Sequence, residues 1–260
     1  MILSRRIALG GVPLDSVDGS ILIQSIVPGT PRENVSAVNL MGGWGQKVTT
    51  EHYETLECSV SYTINVDRHD MTRRRMIFDR VNAWALKKGW LTLNFMPGKR
   101  MFVDKVIVPD MGDPRPRENE YTITFRAYNV PFWQDETPSR VSASVTGSST
   151  SQTIRNRGNV RGVLDVTFKN TSGSTMTTFS VTIGGKTLSL TGLTLGNGKL
   201  LQIHHGTDGL LRITEDGASA YGKQSAGGMT ELVLEPGDNT VTVAYGQTGD
   251  LELRCYGRYV

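Results

Sequence analysis

Residues 124–140, TFRAYNVPFWQDETPSR, mark where one module of the chain ends and a second begins. The stretch opens with strand-like alternation that ends near Tyr128, and Pro131 then lacks the N–H group that would extend a ladder. Phe132 and Trp133 follow, and large aromatic side chains of this kind are stabilised mainly by burial. We therefore predict that both side chains fold back onto the core of the first module and form the seam between two domains.

The composition of the chain changes at this seam. All four tryptophans lie before residue 138, and most of the 29 glycines follow it. The segment 137–153 is dominated by Ser and Thr and has almost no large apolar residue, which is typical of a linker. The predicted domains are therefore residues 1–138 and 139–260, with a linker at about 137–153.

The first module shows the periodicities of strands around one helix. Residues 57–66, ECSVSYTINV, alternate apolar and polar side chains, which predicts a half-buried strand. Residues 70–89 predict an amphipathic helix with Asp70 as the N-cap and Gly89 just past the C-terminus. Its apolar stripe consists of Ile77, Val81, Trp84 and Ala85. Residues 90–108 predict a hairpin, so we expect a β-sandwich or barrel-like domain with one packed helix.

The second module consists of short strand-like segments separated by glycine-rich turns. Gly184 and Gly185 lie between two alternating segments, which predicts a hairpin with a two-residue turn. Residues 235–240, EPGDNT, supply another turn. Many short strands at regular intervals are typical of a β-sandwich or jelly roll, so the predicted fold class of the whole chain is mainly β.

Charge and hydropathy argue against several classes of protein. A formal net charge of +3 is too small to predict a nucleic-acid binder. No segment reaches the length of a membrane span, about 20 apolar residues, and the N-terminus lacks the pattern of a signal peptide. Cys58 and Cys255 are expected to be reduced and buried, as in a protein made in the cytosol. We therefore predict a soluble protein whose partners include no specific nucleic acid and no membrane.

The sequence carries no catalytic signature. The motifs of serine hydrolases, zinc proteases and P-loop nucleotide-binding proteins are absent from it. His204 and His205 are adjacent on a predicted strand, so they point to opposite faces and cannot hold one metal ion together. Cys58 lies on the apolar face of a strand and is expected in the core. The acidic candidates are expected to be solvated: Asp104, Asp110 and Asp113. We predict no enzyme, no catalytic residue, no cofactor and no metal.

The order of these elements resembles a known family. Residues 57–66, 71–88, 90–108 and 120–136 are similar to the N-terminal domain of the distal tail proteins of long-tailed, siphovirus-type phages and prophages. In that family the last strand also ends in an aromatic-Pro-aromatic segment. The second module resembles the galectin-like or carbohydrate-module-like β-sandwich of the same proteins. Its matching segments are IRNRGNV (154–160), GKLLQIHHGTDGLLRI (198–213) and LVLEPGDNTVTVAY (232–245).

This resemblance implies a structural role. Such proteins form a ring at the tail tip, either a homohexamer or an assembly of trimers. Their N-terminal domains stack on the tail-tube protein and carry the tail-tip hub protein, while the C-terminal domains project outward. The resemblance therefore implies a location in the virion tail tip for a protein made in the host cytoplasm. A weak cell-surface glycan contact by the C-terminal domain is left open.

We predict subunit contacts at two places in the first module. The segment 39–54, NLMGGWGQKVTTEHYE, is expected to be an extended loop or loose hairpin that becomes ordered against a neighbouring subunit. Its predicted contact residues are Leu40, Met41, Trp44 and Tyr53. The helix contributes a basic cluster, from which Arg73 and Arg74 are predicted to reach the neighbouring subunit. The alternatives are a solvated helix face and a flexible loop that covers only its own core.

Three other functions remain open from the sequence. A non-catalytic glycan-binding β-sandwich protein would use tyrosines and polar groups of the second module, which contains no tryptophan. A tail-tube or secretion-tube subunit would share the fold of the first module and polymerise into long tubes. An enzyme that cleaves glycans would need a pair of carboxylates, for which Asp104 and Asp110 are candidates.

Overall fold

The computed structural model describes residues 5–39, 46–67, 69–111, 120–225 and 231–260. The chain divides into two compact units, Met1–Trp133 with Val260 and Gln134–Tyr259. Over the described ranges both units are built mainly of antiparallel strands, which confirms the predicted fold class. The division falls just after Trp133, a few residues before the boundary predicted at Pro138.

In the first unit the strands are, in chain order, β1 (Ile7–Leu9), β2 (Val12–Pro13), β3 (Ile21–Pro28), β4 (Glu33–Asn39), β5 (Gln46–Tyr53), β6 (Leu56–Ile64), β7 (Gly89–Leu93), β8 (Lys99–Val103), β9 (Lys105–Ile107) and β10 (Glu120–Ala127). A 3-10 helix, Leu14–Ser16, follows β2, and helix α1 (Met71–Ala85) lies between β6 and β7. One sheet has the strand order β3-β6-β10-β9, and another has the order β8-β7-β1-β2. Strands β4 and β5 pair as a separate hairpin.

Helix α1 begins on the signal that the sequence predicts. Asp70 is the N-cap, and its carboxylate accepts the backbone N–H of Arg73 at 3.0 Å. The predicted C-terminal signal is wrong, because the helix ends at Ala85 and Gly89 is the first residue of β7. Lys88 and Gly89, which join the helix to β7, both have positive φ, 57° and 115°. The chain must turn into β7 within a few residues, which leaves no room for another helical turn.

The core of the first unit forms where α1 packs on the β3-β6-β10-β9 sheet. Every second residue of β6 is buried, which confirms the half-buried strand predicted there. Trp84 of α1 lies edge-on to Phe125 of β10, with 5.9 Å between the ring centroids. Phe78, which the predicted apolar stripe omitted, lies 5.0 Å from Tyr121 of the same strand. These aromatic pairs join the helix to the sheet.

Strand β11 (Trp133–Asp135) crosses the division, and the second unit continues with β12 (Ser139–Val145), β13 (Ser149–Asn156), β14 (Val160–Asn170), β15 (Met176–Ile183), β16 (Lys186–Leu195), β17 (Leu200–His205), β18 (Leu211–Glu215), β19 (Ala218–Ser219), β20 (Val233–Leu234), β21 (Gly237–Ala244) and β22 (Gly249–Tyr259). A 3-10 helix, Tyr221–Lys223, follows β19. One sheet runs β19-β18-β17-β14-β22, with β12 beside β22 and β20 beside β14. The other runs β13-β21-β15-β16.

The two sheets of the second unit enclose one hydrophobic core, as predicted for a β-sandwich. Phe168 of β14 and Phe179 of β15 meet across it, with 5.5 Å between their ring centroids. The predicted hairpin is also present, because β15 and β16 pair on either side of Gly184 and Gly185. Both glycines have positive φ, 54° and 78°, as a turn of this type requires.

The segment 137–153, predicted to be a linker, is instead largely strand. It contains β12 and part of β13, which pair with β22 and β21. The apolar residues of β12 lie against the core, whereas Ser142 and Ser144 alternate with them on the exposed face. Serine and threonine are acceptable on the solvated face of a strand, so composition did not distinguish an edge strand from a linker.

Candidate assembly surface

The β4–β5 hairpin is the first element of a candidate assembly surface. Its strands pair with each other, with a register shift at Ser36 and Ala37, and with no other strand in the described ranges. The side chains from Glu33 to Ala37 are all exposed, and Val35 has 47% of its surface exposed. A two-stranded hairpin alone is only marginally stable in water, so this one is suited to gain order from a neighbouring molecule.

Three of the predicted contact residues cannot be assessed on this hairpin. Leu40, Met41 and Trp44 belong to the segment 40–45 that connects β4 to β5, and they lie outside the described residues. Tyr53, at the end of β5, is described and half-buried. Its ring packs edge-on against Phe132 of the same chain, with 4.6 Å between centroids. One side of Tyr53 is therefore already occupied, and its contact with another subunit stays a prediction.

The aromatic residues at the predicted seam belong to the core of the first unit. Phe132 is buried, and Trp133 is only 3% exposed. The indole N–H of Trp133 donates to the carbonyl oxygen of Gly29 at 3.0 Å. A side chain at residue 29 would clash, because its Cβ atom would lie 1.9 Å from the carbonyl oxygen of Glu57. Within the first unit, Trp133 is thus bound to a segment whose close backbone approach to Glu57 only glycine allows.

Helix α1 turns its arginines in different directions. Arg73 is exposed, as its predicted role requires, but Arg74 is only 1% exposed and lies on the stripe of Ile77 and Phe78. Arg74 is therefore not available as a subunit contact. Adjacent helical residues point about 100° apart, so a run of three arginines cannot occupy one face. The outer face also carries Arg75, whose guanidinium pairs with Asp79 at 3.1 Å.

Strand β3 adds an open edge to the candidate assembly surface. It is the first strand of its sheet and pairs only with β6 in the described ranges. Two of its apolar side chains are exposed, Leu22 and Val27, the latter at 60%. The opposite edge, β9, is short and begins with Lys105. An eight-residue edge with exposed apolar side chains can pair with another chain unless it is covered.

Of the acidic residues considered as catalytic candidates, Asp104 takes part in the local structure. Asp104 holds a turn, because its carboxylate accepts the backbone N–H groups of Tyr128 at 2.7 Å and Asn129 at 3.0 Å. It is therefore a structural residue and not simply a solvated one. Asp110 is exposed, and Asp113 lies outside the described residues.

The histidines and cysteines also take structural positions. The backbone N–H of His205 donates to the carboxylate of Asp165 at 2.9 Å. No cluster of three or more metal-ligating side chains exists among the described residues. Both thiols, Cys58 and Cys255, are free and buried, as predicted. Burial raises the pKa of each thiol to about 12, so neither is a nucleophile at neutral pH.

The fold and the surface together define a class: a two-unit, mainly β protein whose first unit exposes elements suited to assembly. The structure is similar to that of the Dit (gp 19.1) protein of SPP1, described as a paradigm of the hub adsorption apparatus in phages that infect Gram-positive bacteria. The TM-score is 0.69 at 15% sequence identity, over 98% of this chain and 99% of that one. The chain thus has the fold of a phage distal tail protein.

A second solved structure has a similar fold. A chain of the phage P2 baseplate in its activated conformation with Ca matches with a TM-score of 0.51 and 7% identity, over 97% of this chain and 98% of that one. At the level of sequence, no protein-family model and no curated protein matches the chain. Over the residues that the structure describes, no helix has the length and hydropathy needed to cross a membrane.

Proposed function

We propose that the chain is a structural component of a phage tail tip. It forms a closed ring, a homohexamer or an assembly of trimers, that links the tail-tube protein to the tail-tip hub protein. The observation that carries this proposal is the similarity to SPP1 Dit, which extends over both units with almost complete coverage of each chain. The protein connects other parts and catalyses no reaction.

The exposed elements of the first unit support a closed ring over an open polymer. The edge of β3 and the β4–β5 hairpin both need a partner, and each subunit of a ring would cover the exposed elements of the next. A closed ring leaves no free edge for further growth. A tube subunit would need surfaces that continue the stack indefinitely, so the ring is the better hypothesis.

The proposed ring is tested by introducing a charged side chain at the proposed interface between subunits. The full-length chain should elute as an oligomer in light scattering and show rings by negative-stain electron microscopy. Val27→Lys on β3 and Val35→Lys on β4 should abolish the rings, because each buries a charge in the interface. Val27 and Val35 are both exposed, so neither substitution removes a buried side chain and the fold of the first unit should survive.

Leu210→Lys is the matched control. Leu210 is an exposed apolar residue of the second unit, at 65%, and its substitution should leave the rings intact. A wild-type chain that stays monomeric at high concentration and never forms rings would refute the proposal. Long tubes in place of rings would favour the tube subunit.

A further inference from the structure

The second unit contains a surface pocket of about 370 Å³ at one end of its larger sheet. The end of β16, the β18–β19 hairpin and the 3-10 helix after it surround this pocket. The polar side chains that line it are Thr194, Lys199, Glu215, Asp216, Ser219 and Lys223. Its volume lies at the lower end of the roughly 300–1,000 Å³ typical of small-molecule sites, which suits one ring of a ligand better than a chain of them.

One wall of the pocket is held by Glu215. Its carboxylate accepts hydrogen bonds from the backbone N–H and the hydroxyl of Thr194, and it forms an ion pair with Lys223. Burial raises the pKa of Glu215, but the hydrogen bonds from Lys223 and Thr194 outweigh this and hold the pKa below its usual value. The group is therefore a fixed carboxylate at neutral pH.

The opposite wall carries a second ion pair. Lys199, just before β17, reaches the carboxylate of Asp216. Asp216 and Gly217 both have positive φ, 49° and 83°, and form the tight turn between β18 and β19. The turn is further anchored by the N–H of Asp216, which donates to the carbonyl oxygen of Leu200 at 2.7 Å. The position of Asp216 is thus set by the backbone of the turn.

The chemistry of this lining selects for a neutral ligand rich in hydroxyl groups. Two ammonium groups offer donors and two carboxylates offer acceptors, and their charges balance. An anion would be attracted by the lysines and repelled by the carboxylates, whereas each hydroxyl of a polyol can both donate and accept. The apolar residues of the lining are Leu195 and Ala218.

We propose that this pocket binds one neutral sugar unit of a surface glycan. The inference rests on the proposed function in the phage tail tip, together with the resemblance to distal tail proteins, which implies that the second unit projects outward. It assigns the weak glycan contact to a particular place on the second unit, lined by Glu215 and Lys223 on one side and by Lys199 and Asp216 on the other.

The test uses the full-length protein and saturation-transfer NMR. Glucose, galactose, N-acetylglucosamine and rhamnose serve as separate neutral probes, and inorganic phosphate serves as the anionic comparison. At least one neutral sugar should bind. Glu215→Gln should weaken that binding about tenfold, because one charged hydrogen-bonding group is lost. Ser219→Trp should abolish it by filling the pocket, and it removes no buried side chain.

The matched control is Glu235→Gln. Glu235 also forms an ion pair on the second unit, with Arg161, but both side chains are exposed and neither lines the pocket. Its substitution should leave sugar binding unchanged. The inference is overturned if no neutral sugar binds, if phosphate alone binds, or if binding persists in Ser219→Trp. Electron microscopy of the same samples distinguishes the sugar-binding inference from the proposed ring. Rings without sugar binding would overturn only the sugar-binding inference. Sugar binding without rings would support that inference and count against the role in the tail tip.

Discussion

Trp133 illustrates, at the scale of a single residue, how the environment decides between a binding platform and a structural anchor. Its ring is buried in the first unit, and its only polar atom is satisfied by the carbonyl oxygen of Gly29. An aromatic ligand platform needs an open face, which this ring lacks. Residue 29 is glycine for a separate reason, since a Cβ atom there would clash with the carbonyl oxygen of Glu57.

Trp133→Ala should therefore destabilise the first unit by about 3–5 kcal/mol, because it removes a large buried ring and leaves a cavity. Urea denaturation followed by circular dichroism measures the free energy of unfolding. Phe95→Ala is the control, since Phe95 is an exposed aromatic residue and its loss should change stability little. If Trp133→Ala kept full stability and lost ring assembly, the residue would be a contact site after all.

The sequence predicts which residues are buried where apolar side chains recur at a simple period. It does not predict which of several neighbouring polar side chains points into the core. The burial of Phe132 and Trp133 could be predicted because large aromatic side chains are stabilised mainly by leaving water. Arg74 could not be separated from Arg73, because the buried position of an arginine depends on what the helix packs against. The position of Phe78 next to Ile77 widened the apolar stripe in a way that a narrow helical pattern missed.

At the scale of elements, the start of α1 gives a prediction that is independent of assembly. Asp70→Ala removes the acceptor for the N–H of Arg73 and should lower the free energy of unfolding by about 1 kcal/mol. Asp79→Ala, on the exposed face of the same helix, removes only an ion pair with Arg75 and should cost less, about 0.3–0.5 kcal/mol. Equal losses in the two variants would show that the cap contributes nothing beyond surface charge.

Elements with local signals were predictable, and elements that depend on distant pairing were not. Each of three elements has its sequence signal within one short continuous segment: strand β6, helix α1 and the turn between β15 and β16. Strand β12 exists because it pairs with β22, more than a hundred residues away in the chain, for example Val141 with Leu253. Its Ser-rich sequence has no strong preference of its own, so the partner strand decides.

At the scale of the whole molecule, buried ionisable groups make the free energy of unfolding fall as the pH becomes alkaline. Burial raises the pKa values of Cys58 and Cys255 from 9.0 to about 12. It also raises the pKa of Tyr62, and burial together with a hydrogen bond to Asp135 raises that of Tyr259 to about 12. In each case the folded state holds its proton more tightly than the unfolded state does.

The stabilisation from these groups is complete below the unfolded pKa values and is lost as pH rises toward about 12. The urea midpoint should therefore be flat near neutral pH and fall steadily above about pH 9. The double variant Cys58→Ala, Cys255→Ala should start lower and fall less steeply over that range. A midpoint that stays constant up to about pH 11 would contradict the assignment.

The pocket of the second unit shows why the candidate sites were the least predictable part. Its walls come from β16, from the turn after β18 and from the helix after β19. Lysine and carboxylate side chains are common on any surface, and only the folded sheet brings Lys199 to Asp216 and Lys223 to Glu215. The edge of β3 and the isolated pairing of β4 with β5 likewise follow from the sheet order.

The burial of both native thiols has a practical consequence. Cys58 and Cys255 are the only cysteines in the chain, and both are inaccessible to thiol-reactive dyes in the folded protein. A cysteine introduced at the exposed Leu210, which lies outside the proposed ring interface, would therefore take a maleimide fluorophore at a single position without removing either native residue. Photobleaching steps could then be counted one particle at a time, giving the number of chains in each assembly directly.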